Sequence, residues 1–169
     1  PIRFFVVSVL MPFFPPIALS SWAAVAQTPP PPYGAPITIE TAKKAMAAAE
    51  AEARKNNWPV VIAIVDNGGH LVMLQRLDAQ NASVDIAIGK ASTAVNFRRP
   101  TKALEDGLAA GGTAVRILAV KGAYPLQGGL PIVVDGRIVG GIGVSGVLAP
   151  QDEVVAKAVK QFPDRFSGL

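Results

Sequence analysis

The chain has no cysteine and a single histidine, His70. Without thiols, disulfides, thiolate metal sites, cysteine catalysis and a lipidated-cysteine anchor are all excluded. With one imidazole, zinc sites built from several histidines are excluded too. Charged residues make up only 17% of the 169 residues and aromatic residues 7%. The net charge of +4 is small, and the one tight basic cluster is Arg98-Arg99 with Lys102. No aromatic residues interleave with that cluster to stack bases, so nucleic acid is not an expected partner. A glycine-rich dinucleotide loop, a Walker loop and a GxSxG elbow are also missing. What is present is a half-hydrophobic sequence, sufficient for one well-packed domain and a tail.

Residues 1–26 read as a secretory signal peptide. Arg3 supplies a positive end, an apolar run follows from Phe4 to Leu19, and Ala24-Val25-Ala26 has the small-x-small form of a cleavage site. Pro12, Pro15 and Pro16 interrupt a run already short for a spanning helix, which argues for cleavage and against a stable membrane span afterwards. The expected location is therefore periplasmic or secreted, with Gln27 as the new first residue. Residues 27–36 (QTPPPPYGAP) form a proline-rich linker expected to stay outside helix and sheet. The folded domain is expected over residues 37–169.

Within it, residues 38–57 predict an alanine-rich helix capped by Thr38, with Ala42, Ala45, Met46, Ala49 and Ala53 on one face. The continuous apolar run 60–65 predicts a strand buried on both faces, and Asp66-Asn67-Gly68-Gly69 turns it into a partner strand over 70–77. His70 thus stands at the mouth of a turn. A second helix is predicted over 83–97, with Ser83 as its cap and Lys90 extending to solvent from an apolar stripe. A short helix capped by Thr101 and an apolar strand over 114–120 follow. Asp135-Gly136 between two β-branched runs, 130–134 and 138–144, is a strong hairpin signal. The second run holds Gly140, Gly141 and Gly143, with Gly146 just beyond, and leads into a closing helix from about Gln151. Glycine at that density implies close approach of a ligand, a helix or another copy. The glycine strand and the alanine-rich helix are the surfaces expected to support self-association.

The runs VVDNGGHLVMLQRLDA, AIGKASTAVNFRRPT and GGLPIVVDGRIVGGIGVSG, followed by QDE, resemble the GlcG/HbpS-like family of haem-binding proteins. The resemblance covers nearly the whole expected domain. It implies an α+β fold, a three-layer α/β/α sandwich with a central antiparallel sheet of about five strands, assembled as a homo-oligomer. Matched residue by residue, the family pattern falls on Asp66, Gly69, Leu71, Arg76 and Asp78. It continues through Lys90, Thr93, Ala94, Gly128, Gly129, Pro131, Gly143, Ser145, Gly146 and Asp152.

Haem needs an apolar slot, an axial donor and cations for its propionates. His70 is the expected iron donor, with Met46 and Met73 as weaker ones, although the first helix departs from the haem-binding relatives in lacking histidine. The expected ligand-binding set is Arg76, Lys90, Arg98, Arg99, Gly129, Gly143, Ser145, Gly146 and Asp152. The resulting expectation is an exported protein that sequesters or senses haem. The alternatives are an enzyme or accessory protein acting on a small organic acid through Lys90, Arg76 and Asp152 or His70, and a ligand-free structural oligomer. Nothing in the sequence brings Ser145, His70 and Asp152 together as a catalytic triad.

Overall fold

The computed structural model describes residues 29–161; the expected leader, residues 1–26, lies outside them. Thr38 caps the first helix, α1 (Ile39–Lys55), its hydroxyl accepting the Thr41 N–H at 3.2 Å. The alanine face with Met46 is buried. The first hairpin pairs β1 (Val61–Asp66) with β2 (Leu71–Arg76). Helices α2 (Ser83–Asn96) and α3 (Thr101–Ala110) follow, then a 3-10 helix over Gly112–Ala119. The second hairpin, β3 (Gly129–Val134) and β4 (Arg137–Ser145), turns at Asp135 and Gly136 with φ of 49° and 71°, as the Asp-Gly pair predicts. Helix α4 (Ala149–Lys157) follows, continued by one 3-10 turn.

Among the described residues the sheet has four antiparallel strands in the order β2-β1-β4-β3. The strand expected over 114–120 falls in the 3-10 helix, none of whose residues is buried. Its apolar residues find no neighbouring strand to pair with, and apolar content alone does not make a strand. β1 is buried on both faces, as its continuous run implies. Ile62 and Ile64 pack with the buried faces of α1 and α4, whereas Ala63 and Val65 pack with α2. The layers are thus α1 and α4, the sheet, and α2.

The glycines of β4 explain how closely α2 lies on the sheet. Four helical residues advance about 6 Å and two strand residues about 6.6 Å, so Ala87 and Ala91 meet Gly143 and Gly141 in step. A Cβ on Gly143 would stand 2.0 Å from the Ala87 carbonyl oxygen, and one on Gly141 2.8 Å from that of Ala91. These glycines are filled by a helix of the same chain. The surfaces expected to support self-association, the glycine strand and the alanine face of α1, are therefore both interior.

Two local expectations are corrected. Ser83 lies inside the first turn of α2 and not at its cap, which is Ala82; its hydroxyl turns inward, 3.4 Å from that of Ser145. The proline-rich stretch does reach the sheet at its end. The Pro32 carbonyl accepts the Ile138 N–H at 2.8 Å, Gly34 donates back to Ile138 at 2.9 Å, and Tyr33 bridges Ile138. Proline lacks a donor but keeps its carbonyl, and its extended φ suits a strand edge.

Candidate functional site

Two polar clusters hold most of the predicted site residues, and they differ in access to solvent. The first is interior. Lys90 turns inward from α2, past the start of β3, with only 3% of its side chain exposed. Its Nζ donates to Asp152 Oδ2 and to the Val144 carbonyl, both at 2.9 Å. The expectation of an ammonium extended to solvent is thus overturned, because α4 presents a carboxylate inside the layers. Burial pushes the Asp152 carboxyl up, against the opposing pull of Lys90 and the backbone N–H groups of Val147 and Gly146. Gly128, at φ 118°, leaves the space these groups need: a Cβ there would lie 3.0 Å from Lys90 Nζ.

Gly129 joins the same cluster through its backbone. Its N–H donates to Thr101 Oγ1 at 2.9 Å, and a Cβ would lie 2.4 Å from the Lys90 carbonyl oxygen. Gly146 is pressed against Pro59, 2.3 Å from a hypothetical Cβ to its carbonyl oxygen. Among the described residues, no buried side-chain nitrogen or oxygen lacks a partner. Lys90 and Asp152 neutralise each other, and the glycines at 129, 143 and 146 receive backbone. This cluster joins the layers and offers no unpaired group to a carboxylate substrate.

The second cluster surrounds the β1–β2 turn. Asp66 Oδ1 accepts the N–H groups of Gly68 and His70 at 2.8 and 2.9 Å, the side-chain pattern that fixes a tight turn. Burial raises the Asp66 pKa, but those two N–H groups and the neighbouring imidazole together outweigh it, so the carboxyl sits below its ordinary value. The His70 side chain is 83% exposed, with Nδ1 3.4 Å from Asp66 Oδ1. A carboxylate on one ring nitrogen orients the imidazole and leaves Nε2 open to a metal.

Three long-range contacts hold the turn in place. Ser92 Oγ donates to the Gly69 carbonyl at 2.8 Å, Asn67 Nδ2 to that of Gly34 at 2.6 Å, and the Tyr33 hydroxyl to that of Val95 at 2.9 Å. Arg98, at φ 51°, lies over the Tyr33 ring at 5.8 Å, and Arg99 Nε donates to the Phe97 carbonyl at 3.1 Å. His70, Arg98 and Arg99 therefore share one end of the sandwich, beside exposed Leu71.

Arg76 is elsewhere. It pairs with Val61 at the other end of the hairpin and donates to the Ala79 carbonyl at 2.7 Å. Ser145 also pairs with Val61, so it is separated from His70 by the length of the hairpin, and the triad is not assembled. Met46 is buried under α1 and Met73 packs against the same core, so both serve as core filler and not as outward donors. A surface pocket of about 290 Å³ between Arg54, Trp58, Leu77 and Asp78 contains none of the predicted site residues. Sequence reasoning missed Thr101 and Tyr33 as positioning residues. Their partners lie 28 and 62 residues away, beyond any local pattern, although a tyrosine among prolines is a signal for Tyr33.

This end of the sandwich brings together an exposed imidazole, an exposed leucine and two arginines, the kinds of group that an axial donor, an apolar contact and propionate partners call for. The fold defines the class, an α/β/α sandwich around an antiparallel sheet. Residues 37–161 match the family described as haem degrading protein HbpS-like, and the chain belongs to that family. It is 44% identical to Protein GlcG of Escherichia coli (strain K12) over 110 residues, 64% of this chain and 81% of the relative. The crystal structure of HbpS superimposes with a TM-score of 0.69 at 36% identity, over 75% of this chain and 89% of the other. The crystal structure of a PduOC:heme complex gives a TM-score of 0.68 at 28% identity, over 73% of this chain and 92% of the other.

Proposed function

We propose that this chain is an exported haem-binding protein that sequesters or senses its ligand, with His70 Nε2 as the iron donor. The observation that carries this reading is the exposed imidazole whose other nitrogen faces Asp66. Haem would supply an iron centre with an open coordination position and two carboxylates. This chain's own groups would do the holding: His70 on iron, Leu71 against the macrocycle, and Arg98 and Arg99 on the propionates. Membership in a haem-related family and likeness to a haem complex support the ligand class. The leader pattern over residues 1–26 supports export, and among the described residues no helix is long and apolar enough to cross a membrane. Self-association belongs to the same reading.

The test is a haemin titration of protein recovered from periplasm or medium, with intact mass beginning at Gln27. A sharp Soret band is expected, and His70→Ala should change its position and shape, because losing an axial imidazole changes the coordination class. Arg98→Gln with Arg99→Gln should weaken affinity while leaving the spectrum intact. A band that persists for hours supports holding, whereas one that bleaches with added reductant points to degradation. Absence of haem binding by the wild-type protein would sink the proposal.

A further inference from the structure

Two helices of this domain end in the same hydrogen-bond pattern. Asn56 caps α1, and beyond it Asn57 N–H donates to the Arg54 carbonyl at 3.1 Å and Trp58 N–H to that of Ala53 at 3.0 Å. Phe97 caps α2, and beyond it Arg98 N–H donates to the Val95 carbonyl at 3.0 Å and Arg99 N–H to that of Ala94 at 3.1 Å. In both, the residue after the cap is left-handed, with φ of 54° at Asn57 and 51° at Arg98. That position calls for glycine or asparagine, because a Cβ bearing a long side chain crowds the backbone there. Among the described residues, those that are left-handed without being glycine are Asn57, Asp78, Arg98 and Asp135. Three of the four have the short polar side chain that tolerates this conformation, and Arg98 does not.

The end of α2 does not need an arginine at that point. A cation favours a helix C-terminus from any nearby position, and Arg99 already supplies one, its Nε on the Phe97 carbonyl at 3.1 Å. What sets Arg98 apart is its neighbour: its guanidinium lies over the Tyr33 ring, 5.8 Å from the centroid. The Tyr33 hydroxyl donates at 2.9 Å to the Val95 carbonyl, the acceptor that Arg98 N–H also uses. The residues on either side fix the tyrosine, since the Pro32 carbonyl and the Gly34 N–H both bond to Ile138. The Gly34 carbonyl also accepts Asn67 Nδ2 at 2.6 Å, so one segment touches both Arg98 and the turn that carries His70. Among the described residues no carboxylate pairs with Arg98. An aromatic ring on the face of a guanidinium leaves the in-plane N–H fork for a carboxylate.

We propose that Tyr33 is the positioning residue of an anion clamp, holding the Arg98 guanidinium at this end of the sandwich to receive a ligand carboxylate. It rests on the haem reading above, in which that carboxylate is a propionate, and adds which arginine selects it and what sets its place. The left-handed backbone of Arg98 is strain kept at a binding position. Tyr33 acts only through Arg98, and Arg99 contributes charge without a fixed direction.

The test compares haemin with haemin dimethyl ester, which presents the same ring and iron without carboxylates. The wild type should prefer haemin, and Arg98→Gly should lower that preference by up to about fivefold, as for a partly exposed ion pair. Tyr33→Leu should lower it in the same direction, with ester affinity and spectral class unchanged; a merely structural role would weaken both ligands alike. The double variant should fall no further than Arg98→Gly alone. Tyr33 is 43% exposed and glycine suits the backbone of residue 98, so thermal melts should show these variants folded. Should Tyr33→Leu fail to fold, Tyr33→Phe replaces it, since losing the bond to Val95 should also lower the preference, by less. A wild-type preference in the Tyr33 variant overturns the positioning role, and so does a double variant that falls further than Arg98→Gly. An Arg98→Gly protein with a lowered melting temperature and the wild-type preference makes Arg98 structural and overturns the clamp. A wild type that binds haemin and ester equally overturns the clamp and leaves the haem reading standing, whereas a wild type that binds neither overturns both.

Discussion

The two carboxylate–cation pairs of this domain use similar chemistry under opposite conditions. Lys90 and Asp152 are both 3% exposed and tie α2 to α4 past the start of β3, with the Val144 carbonyl taking a further ammonium hydrogen. Asp66 and His70 sit on a turn at the far end of α2, with the imidazole almost fully in solvent. The interior pair is saturated by its neighbours and closed in by glycines whose missing side chains bring backbone into contact. The exposed pair has one ring nitrogen to spare. Polar residues gathered in the centre of a fold are therefore not by themselves a site. Here the pair with a polar group left open to solvent is on a turn, and the centre is a joint.

The largest loss is expected at Gly143, where α2 meets β4. In Gly143→Ala the new methyl group meets the Ala87 carbonyl oxygen at 2.0 Å and the Ala91 nitrogen at 2.5 Å. Both obstacles are helix backbone, so α2 must move as a body. The loss should exceed the roughly 1–3 kcal/mol of ordinary overpacking, read as a large fall in the denaturant midpoint or as failure to fold. Lys90→Met comes next, because it leaves the Asp152 carboxyl buried without its cation, at about 3–5 kcal/mol. Lys90→Met combined with Asp152→Leu should recover part of that loss. Recovery stays partial since the Val147 N–H, 3.3 Å from Asp152, also loses its acceptor. An additive double variant would show that the pair does not act as a unit.

Acid should narrow the gap between Lys90→Met and wild type. Burial already holds the Asp152 pKa above its ordinary value, and removing Lys90 takes away an influence that lowers it. A group whose folded pKa is raised costs stability as pH rises through that pKa and regains it below. Unfolding midpoints compared near pH 4 and pH 7 check the sign.

Much of the fold was legible because its signals are local. The continuous run at 60–65 announces a strand covered on both sides, Asp135-Gly136 announces a hairpin, and Thr38 announces a helix start. The sandwich itself came from resemblance across the whole domain. The apolar stretch 114–120 misled because its side chains lie outside the fold, where the usual equation of apolar with buried fails. Lys90 misled for the converse reason: only the folded chain brings up Asp152, 62 residues later, to hold an ammonium inside. The glycines of β4 signalled close approach correctly but not by what. His70 was readable as exposed from its place beside Asn67-Gly68-Gly69, while its relation to Asp66 depends on the turn's geometry.

The smallest effect is expected at the exposed pair. Asp66→Ala removes the acceptor of two backbone N–H groups in the turn, at 2.8 and 2.9 Å. Those groups stay close to water, so the loss should be about 1 kcal/mol, well below that of Lys90→Met. Its pH dependence has a definite sign. The folded Asp66 pKa is lowered, mainly because the backbone donors and His70 outweigh burial. The wild type therefore holds this share of stability above the ordinary aspartate range and loses it as pH falls through the lowered pKa. Asp66→Ala has no such share to lose, so the two unfolding midpoints should converge on acidification from about pH 5 downward. If Asp66 also orients His70, the variant should bind haemin more weakly at neutral pH while keeping the wild-type spectral class, since the imidazole remains. Asp66→Asn keeps an acceptor oxygen for the turn but not the negative charge. It should restore most of the stability without restoring all of the affinity. Identical haemin affinity in wild type, Asp66→Ala and Asp66→Asn would confine Asp66 to the turn and leave the imidazole to orient itself.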